Sequence, residues 1–232
     1  MFLKAIEAGD EAFLSAAPWN NRKGADLNCA DGTGATAVHF CMRHNAEKFL
    51  KPLIQRGAFV EFPDRDGARP ITYAIRENNA AAVRMLLALK DRTSKLIIDR
   101  NQIVMTPNAN TLLHEAAWYD RTEIVAILLA DVKADGTKSF EAEKQLEIFN
   151  KGGMTPLHVA AFRACPELSQ LLITAGAKMD TMTNNPSVVR ESAMDIAVTD
   201  GKTATADLFA ALAVTTNSVM FAAKMKKKVA AK

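Results

Sequence analysis

The chain has 232 residues, of which 49% are hydrophobic, 6% aromatic and 24% charged, with a formal net charge of +3. That length suits one large domain or two small ones, and abundant alanine and aliphatics with few aromatics favour small-residue helix packing over a β-sandwich. No apolar run reaches the roughly 18 residues that a membrane span requires, and three scattered cysteines (Cys29, Cys41, Cys165) argue for a reducing compartment without a disulfide framework.

In chain order, Leu3 to Leu14 reads as a helix pair, with neither the apolar core of a secretory signal nor the arginines of a transit peptide. Gly24 to Asp31 is a turn-rich lead into Thr36-Ala37-Val38-His39. That tetrad has counterparts at Arg69-Pro70-Ile71-Thr72, Thr111-Leu112-Leu113-His114, Thr155-Pro156-Leu157-His158 and Ser192-Ala193-Met194-Asp195. Small residues follow each start: Cys41, Ala74, Ala116-Ala117, Ala160-Ala161 and Ala197. An aliphatic or aromatic group comes next: Leu53-Ile54, Leu86-Leu87, Leu128-Leu129, Leu171-Leu172, and Phe209 near Leu212. Gly57-Ala58 and Gly176-Ala177 close two of these units. Asp64 to Gly67 and Asn150 to Gly153 have turn chemistry.

Five copies in register resemble the ankyrin repeat, whose period is about 33 residues and whose signature is T-P-L-H-x-A. The resemblance implies an all-α solenoid of stacked helix-turn-helix pairs with hairpin fingers, spanning residues 1–213. Its six repeats run approximately 1–31, 32–64, 65–107, 108–150, 151–188 and 189–213, and the first and last are degenerate caps. The pattern has mechanical reasons. Thr or Ser caps a helix, Pro suits its first turn, and Gly ends the second helix in a left-handed conformation. Histidine can bridge the loops of adjacent repeats. The pattern also departs from the family in places. Arg69 replaces a capping Thr, and Pro52 falls within a second helix, so that helix should kink or start late. The starts lie 33, 42, 44 and 37 residues apart. The excess falls in fingers near Ser94–Val104, Asp131–Phe149 and Thr183–Arg190, each either a tolerated loop or a binding element.

His39, His114 and His158 occupy the repeat's own histidine position. His44 alone lies outside it and reads as a solvated helix-end residue. No C-x-x-C pair, metal-ligand spacing, phosphate loop or catalytic triad stands out. No catalytic residue, metal or cofactor is therefore expected, and the chain reads as a non-enzyme. Family habit points instead to hairpin tips and the concave helix face as protein-binding surfaces. Carried onto this sequence, those positions include Arg43, His44, Arg65, Arg76, Glu77, Trp118, Tyr119, Lys151, Met154, Phe162 and Arg163. Trp118, Tyr119 and Phe162 come from neighbouring repeats, and Trp, Tyr and Arg are the residue types that dominate interface hot spots. They either contact a partner or pack beneath an adjacent finger.

Residues 214–232 form a basic tail, with Lys224, Lys226, Lys227, Lys228 and Lys232 and no acid, able to form a helix or to remain disordered. Without those five lysines the body carries −2, unlike a folded nucleic-acid binder. The leading expectation is a cytoplasmic scaffold or adaptor subunit of a larger assembly. The tail would meet an acidic filament (in a cilium or the cytoskeleton, for example), nucleic acid or lipid. The alternatives are a regulator that occludes an enzyme or transcription factor, with the nucleus as a second location, and a nucleic-acid- or ribosome-associated subunit.

Overall fold

A computed structural model describes residues 27–90, 97–98, 108–130, 145–187 and 189–215. The expected N-terminal cap before residue 27, most of the first two fingers and the tail beyond residue 215 lie outside the described residues. All named elements among those described are helical. They are α1 (Ala37–Arg43), α2 (Leu50–Gln55), α3 (Pro70–Arg76), α4 (Ala80–Leu87), α5 (Leu112–Trp118), α6 (Thr122–Leu129), α7 (Pro156–Phe162), α8 (Pro166–Thr174), α9 (Ala193–Thr199) and α10 (Thr203–Thr215). A 3-10 turn, Glu47–Phe49, precedes α2, and Pro52 sits in the first turn of that short helix. The helix thus starts late, so that the ring occupies a position needing no amide donor.

Two compact units divide the chain at Met1–Glu115 and Ala116–Lys232. Within the first, α1 packs on α3 and α3 on α4. Within the second, α7 packs on α8 and α9, α9 on α10, and α8 on both α6 and α10. The two kinds of helix bury themselves differently. The first helix of each pair is buried almost throughout: Ala37 to Met42 in α1, Pro70 to Ile75 in α3, Pro156 to Ala161 in α7. The second helices bury one stripe, such as Ala82, Val83, Leu86 and Leu87 in α4 or Ile124, Val125 and Leu128 in α6. Each fully buried Leu or Ile contributes about 1.5–3 kcal/mol by leaving water. Because the first helices have almost no free face, their readable surface is confined to their C-terminal ends.

The turn after each first helix has a feature that residue identity conceals. Nine positions after each motif start the backbone is left-handed: Asn45 (φ 51°), Asn78 (58°), Asp120 (55°), Ala164 (59°) and Gly201 (68°). Asn, Asp and Gly tolerate this region readily, but alanine does not. The hairpin residue two before the motif is also left-handed at Gly34, Gly67, Ala109 and Gly153. At Gly153 a Cβ would lie 2.5 Å from backbone atoms of Asn184 and Asn185, so the close approach of two hairpins requires glycine there.

Side chains five residues before the motif close the hairpins. Asp31 Oδ1 accepts from the Thr33 and Ala35 amides, Asp64 Oδ1 from Asp66 and Ala68, and Asn150 Oδ1 from Met154. Burial pushes the Asp31 carboxyl up, but its hydrogen bonds from Thr33 and Ala35 outweigh this and hold it below the usual value. Neighbouring repeats are tied 31 residues apart, where the Phe59 amide donates to Asn28 and the Lys178 amide to Glu147. Of the third finger, Thr183 donates to the Glu191 carbonyl, and Met182 bridges Ser192 in antiparallel fashion.

Candidate functional site

The motif histidines are structural. The Thr36 amide donates to His39 Nδ1 at 3.0 Å, which places the ring proton on Nε2, 3.1 Å from the Ala68 carbonyl of the next repeat. His158 repeats this with Thr155 at 3.2 Å and the Glu191 carbonyl at 3.1 Å. In the third copy the Thr111 amide donates to His114 Nδ1. Burial holds His39 and His158 below the usual histidine pKa. Both rings are thereby fixed as neutral bridges, a poor state for proton transfer near neutral pH. Two departures from the motif have opposite outcomes. Ser192 and Asp195 form a working reciprocal cap. Arg69 makes no side-chain cap, and the hydroxyl of Thr72, at the histidine position, is buried without a partner.

The expected binding residues divide into three environments. In the first unit, the Arg43 guanidinium lies 4.8 Å from the centre of the Tyr73 ring and 5.6 Å from that of Phe40, and His44 stacks on Phe40. Tyr73 also receives Arg76 at 5.9 Å, and its hydroxyl donates to Asp64 at 2.6 Å. Burial, then this carboxylate, raises the Tyr73 pKa. Arg76 is engaged by Glu115, 3.4 Å away and itself buried, whose other oxygen accepts from Asn110. Glu77 is exposed beside it. Arg76 therefore balances a buried charge, and losing it would leave Glu115 uncompensated. Phe40, Tyr73 and Glu115 all sit four residues after a motif start. The sequence carried a signal there, since a large or charged residue stands one turn before the recognised exposed positions.

The second unit presents the aromatic pair. Trp118 and Phe162, each seven residues after a motif start, stack with ring centres 6.0 Å apart and planes 16° from parallel. They remain 40% and 42% exposed. Arg163 covers the Trp118 ring at 5.1 Å. Tyr119 is half-buried beside it. The third environment is the hairpins, where Arg65 and Lys151 are exposed and Met154 is half-buried, apart from the aromatic pair in sequence register. The five tail lysines lie outside the described residues.

Free thiols offer little reactivity where they are buried, since burial first of all pushes Cys41 and Cys165 up to about 12. Among the described residues, no three of His, Cys, Asp and Glu converge to hold a metal. No helix there is long and apolar enough to cross a membrane.

The chain belongs to the ankyrin-repeat family: the pattern for ankyrin repeats in three copies matches residues 3–95 and again 92–183. It is similar to Protein VAPYRIN-LIKE of Medicago truncatula, 27% identical over 60% of this chain and 28% of that protein. It is also similar to the mouse nuclear factor NF-kappa-B p105 subunit, 26% identical over 67% of this chain and 14% of the relative. Inversin of Canis lupus familiaris is 24% identical over 81% and 16% respectively. The chain thus spans less than a third of the length of these relatives. Among solved structures, it shares its fold with a chain of the Bdellovibrio bacteriovorus complex between the predatory endopeptidase Bd0816 and immunity protein Bd3460. That likeness has a TM-score of 0.68 at 20% identity, covering 89% of this chain and 95% of the other. Ankyrin repeats are protein-interaction modules, and protein binding is the activity the family implies for this chain.

Proposed function

We propose that this chain is a non-enzymatic scaffold or adaptor whose docking surface is centred on Trp118 and Phe162. The observation that carries the reading is their exposed stack. A fold that buries its first helices almost completely leaves two large aromatics open at neighbouring helix ends, with a cation beside them. Burying both against a partner removes far more apolar surface than any other neighbouring pair on these helix ends would. The arginine cluster around Tyr73 is more structural in character, because Arg76 answers Glu115 and Tyr73 answers Asp64.

The basic tail adds a second contact in this reading, to an acidic protein surface, and a cytoplasmic assembly is its setting. Affinity purification of the full chain with crosslinking mass spectrometry tests the proposal. Crosslinks from the partner to residues flanking Trp118 and Phe162, at constant stoichiometry, are expected. Partner crosslinks confined to the hairpin lysines or the tail would contradict it. Deleting residues 217–232 should weaken retention in the assembly without abolishing docking.

A further inference from the structure

The Trp118–Phe162 stack has a polar neighbour that specifies more than hydrophobicity. Arg163 lies over Trp118 with its guanidinium carbon 5.1 Å from the ring centre. A guanidinium is planar and always charged, and its N–H donors form a fork that matches a carboxylate; Arg163 itself is exposed. Among the described residues, no carboxylate comes within ion-pair distance of Arg163. The nearby Asp120 instead faces the Cys165 thiol. Arg76, by contrast, is neutralised by Glu115 at 3.4 Å. The patch in the second unit is therefore an exposed aromatic platform edged by a cation that no carboxylate among the described residues pairs with.

We infer that this patch takes an acidic peptide segment of a partner protein, one in which a Glu or Asp stands next to a large apolar side chain. The apolar side chain covers the Trp118–Phe162 stack, and the carboxylate receives the Arg163 fork. A charge-assisted pair of this kind is short and directional, and the ring beneath Arg163 lowers the entropy lost on forming it. Nucleic acid fits less well. A phosphate backbone asks for a track of cations, whereas the body from residue 1 to 213 carries −2, and among the described residues the ring contact at this platform comes from a single arginine, Arg163. The inference rests on the docking role proposed above and adds the chemistry of the occupant.

A random-peptide display selection against the purified full chain tests it. Enriched peptides should pair Glu or Asp with Leu, Phe, Trp or Ile. Their affinity should fall about tenfold in Arg163→Gln, and by no more than about twofold in Arg190→Gln, an exposed arginine changed by the same charge. Trp118→Ala with Phe162→Ala should abolish binding in a variant that circular dichroism shows to be folded, with a lowered melting temperature because more than half of each ring is buried; Arg163→Gln and Arg190→Gln should melt close to wild type, since both arginines are exposed. Peptides that require Trp118 and Phe162 but carry no acid, or bind Arg163→Gln as well as wild type, would overturn this inference and leave the docking role standing. Peptides indifferent to Trp118 and Phe162 would overturn both. A labelled oligouridine that binds through Arg163 while no acidic peptide does would also overturn it.

Discussion

Ala164 offers a direct measure of the backbone account. It is exposed, follows α7 and sits at φ 59°, where the equivalent positions hold Asn45, Asn78, Asp120 and Gly201. An L-residue with a plain Cβ meets its own carbonyl in that region at a cost of about 1–2 kcal/mol. Ala164→Gly removes that cost. It also gives the unfolded chain more freedom, which returns about 0.5–1 kcal/mol. The difference is a gain of about 0.5–1 kcal/mol. For a chain of this length that raises the melting temperature by about 1–4 °C. The side chain is exposed, so the effect belongs chiefly to the backbone. Thermal denaturation followed by circular dichroism reads it, with Ala164→Val as the opposite control, since a β-branched residue should be worse than alanine. A lower melting temperature for Ala164→Gly would refute the left-handed turn.

Other consequences concern the core hydrogen bonds and the hairpins. His39 and His158 have folded pKa values depressed below the 6.5 of a free histidine, so the unfolded chain binds protons first as pH falls. Their stability is fully present above about pH 7 and is lost on acidification below about 6.5, by at most about 1.4 kcal/mol per pH unit for each ring. A flat melting profile between about pH 7 and 5 would contradict the neutral bridges. The double change Arg69→Thr with Thr72→His should restore the missing cap and satisfy the site of a partnerless hydroxyl. A gain of about 1–2 kcal/mol in urea unfolding is expected, and a loss would show that the site is too small for the ring. Gly153→Ala should destabilise by more than about 2 kcal/mol, because the new methyl meets Asn184 and Asn185 backbone atoms at 2.5 Å. Near-neutral behaviour in the same assay would place those hairpins further apart.

The repeat was legible in the sequence because its signals are residue identities: Thr and His at fixed offsets, alanines, paired leucines and closing glycines. The late start of α2 was legible too, since proline has one tolerated place in a helix. The left-handed turns were not. Asn, Asp, Ala and Gly share little as letters, and only their common φ reveals the register. Trp118 and Phe162 could be nominated from their offsets. Their exposure, 40% and 42%, depends on packing and could not be read from the letters. The sequence grouped Arg76 with Arg163 as equal candidates. Their difference arises because Glu115, 39 residues from Arg76, reaches one of them.

The claim that matters most is that the aromatic pair forms the docking surface. Once crosslinking has identified a partner, its affinity for wild type and for Trp118→Ala with Phe162→Ala can be compared by calorimetry. Anchors of this type are worth about 2 kcal/mol or more, so a loss of at least about thirtyfold is expected in a variant that remains folded at the assay temperature. Equal affinity in the two proteins, each folded, would contradict it.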